Sequence, residues 1–218
     1  MTPAPTSQVS AKRAANPLRE ARFLRSAAQL AQLPADNAPE VAFVGRSNAG
    51  KSSALNRVCD QGALARVSGT PGRTQLINLF ALPGGARLAD LPGYGYAKAP
   101  PEARRNWEAL VGHYVAQRAN LRGLVVLMDV RRPLQPLDVQ MLDWARAYAR
   151  PTHILLTKAD KLSRGAAAQA LAKVRSTLAV AREDGISVQL FSSHDGCGID
   201  AARHAVLEWL HTEENATV

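Results

Sequence analysis

The stretch Val41-Ala42-Phe43-Val44-Gly45-Arg46-Ser47-Asn48-Ala49-Gly50-Lys51-Ser52-Ser53 decides how this chain is read. The apolar run Glu40–Val44 has the length of one buried strand and leads directly into a glycine-rich turn. Lys51–Cys59 then reads as a helix. The spacing fits GxxxxGK[ST] in the strand–loop–helix setting that gives this pattern its meaning. Its glycines let the backbone wrap so that successive N–H groups face an anion from a helix N-terminus. Lys51 is expected to neutralise the β- and γ-phosphates of a nucleotide, and the Ser52 hydroxyl to ligate magnesium. A phosphate loop alone does not separate guanine from adenine nucleotides.

Two downstream segments complete the reading. Asp90-Leu91-Pro92-Gly93 follows a strand and gives DxxG. Asp90 is expected to hold magnesium through water, and the Gly93 N–H to sense the γ-phosphate. Between the two motifs lies Arg66–Leu76, where a switch needs one threonine that reaches magnesium in the triphosphate state only. Thr70 and Thr74 both qualify by position, and spacing does not choose between them. Thr157-Lys158-Ala159-Asp160 ends the apolar run Thr152–Leu156, at a strand carboxyl end where open α/β sheets bind ligands. Asp160 can accept from both N1–H and the 2-amino group of guanine. Adenine offers neither donor there and leaves the carboxylate unpaired, an asymmetry that selects GTP over ATP. Lys158 can lay its stem over the base. Phe191-Ser192-Ser193 ends the last apolar strand with N–H groups for the guanine oxygen.

The rest of the pattern alternates strands and helices, as an α/β domain with a mostly parallel sheet requires. Strands are expected at Ala21–Ser26, Thr74–Ala81, Ala86–Ala89, Leu124–Val130, Thr152–Leu156 and Ile186–Phe191. Helices are expected at Glu102–Ala119, Leu137–Ala149, Gly165–Glu183 and Ile199–Leu210. Residues 1–20 read as a disordered basic arm, 21–211 as one domain and 212–218 as a flexible tail. No apolar stretch reaches membrane-span length, no signal peptide is legible, and a soluble cytoplasmic protein is expected. Cys59 and Cys197 and the five histidines follow no metal-ligand spacing. Lys+Arg 27 against Asp+Glu 18 gives +9, a surface suited to phosphate-rich partners such as RNA. Arg104, Arg105, Arg118, Arg122, Arg131 and Arg132 are candidate RNA contacts.

Four stretches resemble the EngB (YihA/YsxC) family of bacterial ribosome-biogenesis GTPases, in the TrmE-Era-EngA-EngB-septin-like class. They are Gly45–Ser53, Pro71-Gly72-Arg73-Thr74-Gln75, Asp90-Leu91-Pro92-Gly93-Tyr94-Gly95-Tyr96-Ala97 and Thr157-Lys158-Ala159-Asp160-Lys161-Leu162. The likeness runs from about Phe23 to Leu210, and Tyr94-Gly95-Tyr96 after DxxG is not a general GTPase feature. It implies a Ras-like P-loop GTPase domain, α/β, with a mostly parallel central sheet flanked by helices on both faces. It also makes Thr74 the magnesium threonine and puts Gly72–Leu76 in the nucleotide site. The implied nucleotide-contacting set is Gly45, Arg46, Ser47, Asn48, Ala49, Gly50, Lys51, Ser52, Gly72, Arg73, Thr74, Gln75, Leu76, Asp90, Leu91, Pro92, Gly93, Thr157, Lys158, Ala159, Asp160, Phe191, Ser192 and Ser193. Lys51, Thr74 and Gly93 carry catalysis, and Ser52, Thr74 and Asp90 the Mg2+.

The implied role is large-subunit assembly, with a link to cell growth, division and septation. The partners are GTP/GDP, large-subunit particles and rRNA, with no DNA specificity, no membrane and a monomeric state. Thr157 stands where GTPases usually carry Asn, and Ser193 where they carry Ala. Tyr94 takes the place of the glutamine that often orients the attacking water, so slow hydrolysis is expected, accelerated by a partner that orders Tyr94–Ala99. Asn48 resembles the asparagine of GTPases that use K+ in place of an arginine finger. An RNA-binding module with structural GTP, and a P-loop kinase or ATPase, are the competing readings.

Overall fold

The computed structural model of the chain describes residues 16–65, 76–95, 100–178 and 185–211. Strand β2 (Glu40–Gly45) is buried along its whole length, as a central strand covered on both faces must be. Its side chains alternate between two cores. Val41 and Phe43 join Leu55, Val58, Val206 and Leu210, whereas Ala42 and Val44 join Val111, Tyr114, Met141 and Leu142. The helices therefore sort by face. α1 (Lys51–Val58) and α5 (Ile199–His211) cover one side, and α2 (Pro101–Gln117), α3 (Pro136–Ala147) and α4 (Arg164–Thr177) the other.

The remaining strands are β1 (Arg22–Ala27), β3 (Ile77–Ala81), β4 (Arg87–Asp90), β5 (Leu121–Asp129), β6 (Thr152–Thr157) and β7 (Ile186–Leu190), in the sheet order β1-β3-β4-β2-β5-β6-β7. β1 pairs antiparallel with β3 and β3 antiparallel with β4. All other neighbours are parallel. This is the Ras-like architecture expected from the sequence. Every parallel strand consequently ends at the same rim of the sheet.

Two buried polar arrangements hold the opposite rim. Glu40 is fully buried and accepts from Tyr114 Oη at 2.9 Å, Arg118 Nε at 2.9 Å and Arg87 Nη1 at 3.1 Å. Arg150 donates to the carbonyls of Val115, Ala116, Arg118 and Leu121, at and just beyond the C-terminus of α2, where a cation meets the negative end of the helix dipole. Among the described residues no helix is long and apolar enough to cross a membrane.

The expected arm is shorter than its composition suggests at its C-terminal end. Asn16 caps a turn at Pro17–Glu20, Leu18 is fully buried and Asn16 Nδ2 donates to Val58 O at 3.0 Å. Residues 1–15 and 212–218 lie outside the described residues.

Candidate nucleotide site

Gly45 ends β2 against β5 so closely that a Cβ there would sit 2.7 Å from the Leu127 carbonyl oxygen, which excludes any side chain. The loop that follows turns through Asn48 (φ 66°) and Gly50 (φ 88°), with Ala49 N–H donating to Arg46 O at 2.9 Å. Helix α1 starts at Lys51 with no side-chain cap and no acidic residue in its first turn, so its first N–H groups remain for an anion. The Lys51 ammonium contacts the Asp90 carboxylate directly, and both side chains are nearly buried.

Asp90 reaches this point because β4 runs parallel to β2 with Phe43 opposite it. The next four residues are pinned in turn. Leu91 N–H donates to Phe43 O at 3.0 Å, and Trp107 Nε1 donates to Pro92 O at 2.9 Å. Tyr94 N–H donates to Gly45 O at 3.3 Å, while its carbonyl accepts from Ser47 N–H at 2.7 Å. Gly93 lies between them, and a Cβ on it would be 3.4 Å from Gly45 O and 3.5 Å from Ser47.

The base-side segments lock onto the same loop. Thr157 Oγ1 lies 2.6 Å from Ala49 O and 3.1 Å from Met128 O, so the residue standing in for asparagine bridges β5, β6 and the phosphate loop. Lys158, at φ 59°, donates from Nζ to Asn48 O at 2.6 Å and pairs with Asp129 at 3.0 Å. Ser192 Oγ donates to Asp160 Oδ1 at 2.8 Å, and Lys161 pairs with Asp160 Oδ2 at 3.1 Å. The Ser192 hydroxyl and then the Lys161 ammonium hold the Asp160 carboxyl below its ordinary range, so it is ionised at neutral pH. Ala159 N–H donates to Phe191 O at 3.1 Å, joining this loop to the segment with Ser192 and Ser193.

Gly45–Ser52, Asp90–Gly93, Thr157–Asp160 and Phe191–Ser193 thus converge on one rim. Leu76 is exposed just before β3, whereas Gly72, Arg73, Thr74 and Gln75, like Thr70, lie outside the described residues. Asp129 escaped the sequence reading. It is held well below the usual carboxylate range by Arg131 first, and pairs with Lys158. Its signal was present: the lone polar residue in the apolar run Leu124–Val130.

Tyr94 departs from expectation. It is buried, with its ring 5.1 Å from that of Trp107 and its hydroxyl donating to Asp138 Oδ1 at 2.7 Å. These contacts hold its side chain inside the core. Tyr96–Lys98 and Ala99 lie outside the described residues.

The candidate RNA arginines divide. Arg118 is committed to Glu40, Arg131 to Asp129 and Arg104 to Glu108. Arg122 is half-buried, and Arg105 and Arg132 are exposed.

For magnesium, the donors at hand are the Ser52 hydroxyl and the Asp90 carboxylate, hard oxygen groups of the kind this cation prefers. A buried carboxylate that already seeks a cation in Lys51 fits such an ion.

Residues 40–158 match the family model described as 50S ribosome-binding GTPase. A protein of Aromatoleum aromaticum named as a probable GTP-binding protein EngB is 56% identical over 192 residues, 88% of each chain. One of the same name from Coxiella burnetii (strain RSA 493 / Nine Mile phase I) is 51% identical over 195 residues, covering 89% of this chain and 95% of that one. The crystal structure of a probable GTP-binding protein engB superposes with a TM-score of 0.66 at 22% identity, over 79% of this chain and 99% of that one, and speaks for the fold.

Proposed function

The chain belongs to the EngB family of GTP-binding proteins and is a GTP-hydrolysing enzyme, and from that premise we propose that it is a slow molecular switch in assembly of the large ribosomal subunit. The observation that carries this reading is the direct linkage of its parts. The hydroxyl of Thr157 bonds the phosphate loop while Ser192 holds Asp160 ionised beside it, so base and phosphate recognition form one rigid unit.

In this reading the uncapped N–H groups of α1 and the surrounding loop take the phosphates, and Lys51 exchanges Asp90 for the β- and γ-oxygens. Ser52, Thr74 and Asp90 would hold Mg2+. When bound, that ion supplies charge neutralisation on the phosphates. Asp160 selects guanine, Lys158 covers it, and Phe191–Ser193 meets its oxygen. Gly93 offers its N–H to the γ-phosphate. By the resemblance, Gly72–Leu76 belongs to the nucleotide site.

Hydrolysis is slow because Tyr94, buried against Trp107 and Asp138, cannot orient water. Potassium at Asn48 is an accessory of this reading, and equal turnover in sodium and potassium would remove it. Residues 21–211 act as a single domain, monomeric and in the cytoplasm. The basic surface, with exposed Arg105 and Arg132, meets rRNA of precursor particles. Growth and division depend on the protein through ribosome supply.

Co-sedimentation with large-subunit precursors under GDP and under a non-hydrolysable GTP analogue tests the role, and a switch binds in one state only. Equal binding in both would instead support an RNA-binding module with structural GTP. Asp160→Ala tests the base assignment. Guanine preference over adenine should collapse by about a hundredfold or more, the cost of stranding or removing a charged partner. An unchanged preference would refute it.

A further inference from the structure

We propose that Tyr94 is a positioning residue for the γ-phosphate response: tied to Asp138, it fixes the Gly93 peptide against the phosphate loop before nucleotide arrives. The proposal rests on the reading of Gly93 as the γ-phosphate contact and names what holds that contact in place.

Both neighbours of Gly93 are fastened, and to different elements. Pro92 is held through its carbonyl by the indole of Trp107 on α2. Tyr94 is held twice over. Its backbone is stitched to Gly45 O and Ser47 N–H, and its side chain is sunk into the core with 2% of its surface exposed. The hydroxyl finds Asp138, a fully buried carboxylate at the start of α3. Asp138 is not itself free to move. Its second oxygen accepts from Gln135 N–H at 2.9 Å, closing the N-terminal turn of the helix, where the dipole favours an anion. Trp107 is braced in turn, stacked on Trp144 of α3 with ring centroids 5.8 Å apart. Helices α2 and α3 therefore act as a frame, and Tyr94 and Pro92 are the two points where the DxxG segment is bolted to it.

The energetic consequence is selective. A triphosphate meets a Gly93 N–H that is already in place and forgoes the ordering cost of a loose loop. A diphosphate has no γ-phosphate to meet that N–H and gains nothing from the frame. Asp138 acts only through Tyr94, since its carboxylate is buried behind the segment. Gly95, the next residue, has φ +69°, and a Cβ there would lie 2.9 Å from Arg46 Nε.

The test measures affinities of the full chain for fluorescent GDP and a fluorescent non-hydrolysable GTP analogue, with thermal unfolding in parallel. Tyr94→Phe keeps the shape of the ring and removes the donor, and Asp138→Ala removes the acceptor. Each should weaken the analogue by about tenfold, the lower end for a buried hydrogen bond to a charged group. GDP affinity should stay within about twofold, and the double variant should be no worse than the worse single. Trp107→Phe frees the Pro92 carbonyl by a separate route and should give the same selective loss, which keeps the proposal testable where a Tyr94 or Asp138 variant does not fold. Equal losses for both nucleotides would mean a merely structural role and would overturn the proposal, as would unchanged selectivity or a gain in analogue affinity. Gly93→Pro, which lacks the backbone N–H, separates the levels. If it leaves selectivity intact, the γ-phosphate reading of Gly93 fails and the proposal with it. If it alone lowers selectivity, that reading stands and the Tyr94 anchor is refuted.

Discussion

Thr157→Val removes one oxygen and leaves a branched side chain of nearly the same volume, so it isolates the bridge between the base loop and the phosphate loop. In the native chain that oxygen serves two carbonyls, Ala49 O at 2.6 Å and Met128 O at 3.1 Å, within a fully packed site. Stranding a buried acceptor costs about 1–3 kcal/mol, and the longer Met128 contact contributes the smaller share. A total near 2 kcal/mol corresponds to a fall of roughly 4–8 °C in Tm for a domain of this length. Part of the loss should also reach the ligand if, as proposed above, the loop holding Ala49 takes the phosphates. The Kd for GDP should rise by roughly three- to tenfold, up to about 1.4 kcal/mol of that total. Guanine preference should survive, since Asp160 and Ser192 are untouched. Calorimetry with and without GDP reads both quantities, and Thr157→Ser, which keeps the hydroxyl, is the control. A Thr157→Val protein with wild-type Tm and wild-type GDP affinity would show that the bridge carries no weight.

Two further outcomes follow from packing and protonation. Gly123→Ala would place a methyl 2.3 Å from the ring of Trp209, so α5 must shift, and denaturant unfolding should show a loss of about 1–3 kcal/mol; an unchanged midpoint would contradict that contact. His153, buried between Ser187 Oγ (2.6 Å) and Gln189 Oε1 (2.9 Å), is pushed below its ordinary range by burial. Its unfolded form therefore binds the proton first, and stability is present above about pH 6.5 and declines as pH falls below it. His153→Gln should flatten that decline, and an identical slope would argue against the assignment.

The alternation of apolar runs and helical stripes made the sheet and its flanking helices legible before any coordinates, because the central strands are buried on both faces and each helix on one. Boundaries shifted where tertiary packing overrides local pattern. α4 spans Arg164–Thr177, the expected Gly165–Glu183 running on into 179–184, which lie outside the described residues, and β3 starts at Ile77, opposite Ala27 where β1 ends. The described motifs sit on strand ends that the parallel sheet gathers at one rim. What stayed hidden were contacts between distant positions. Thr157 showed only as a departure from asparagine, and its reach to Ala49 spans 108 residues. Tyr94 showed as a missing glutamine, and nothing local to it announces Asp138, 44 residues on. The one cue to Asp138 was its place in the first turn of a helix, where a carboxylate commonly caps.

The knot of Glu40, Arg118 and Arg150 at the far rim gives α2 a fixed end. Its seventeen residues make a rod of about 25 Å, moored at the C-terminus by those groups and starting at Pro101, downstream of Asp90–Gly93. A displacement of about 1 Å at the free end becomes a tilt of roughly 2° about the mooring for a rod of that length. So small a tilt would barely turn the outer face of α2, which carries Arg104 and Arg105, and the stacking of Trp107 on Trp144 of α3 opposes even that.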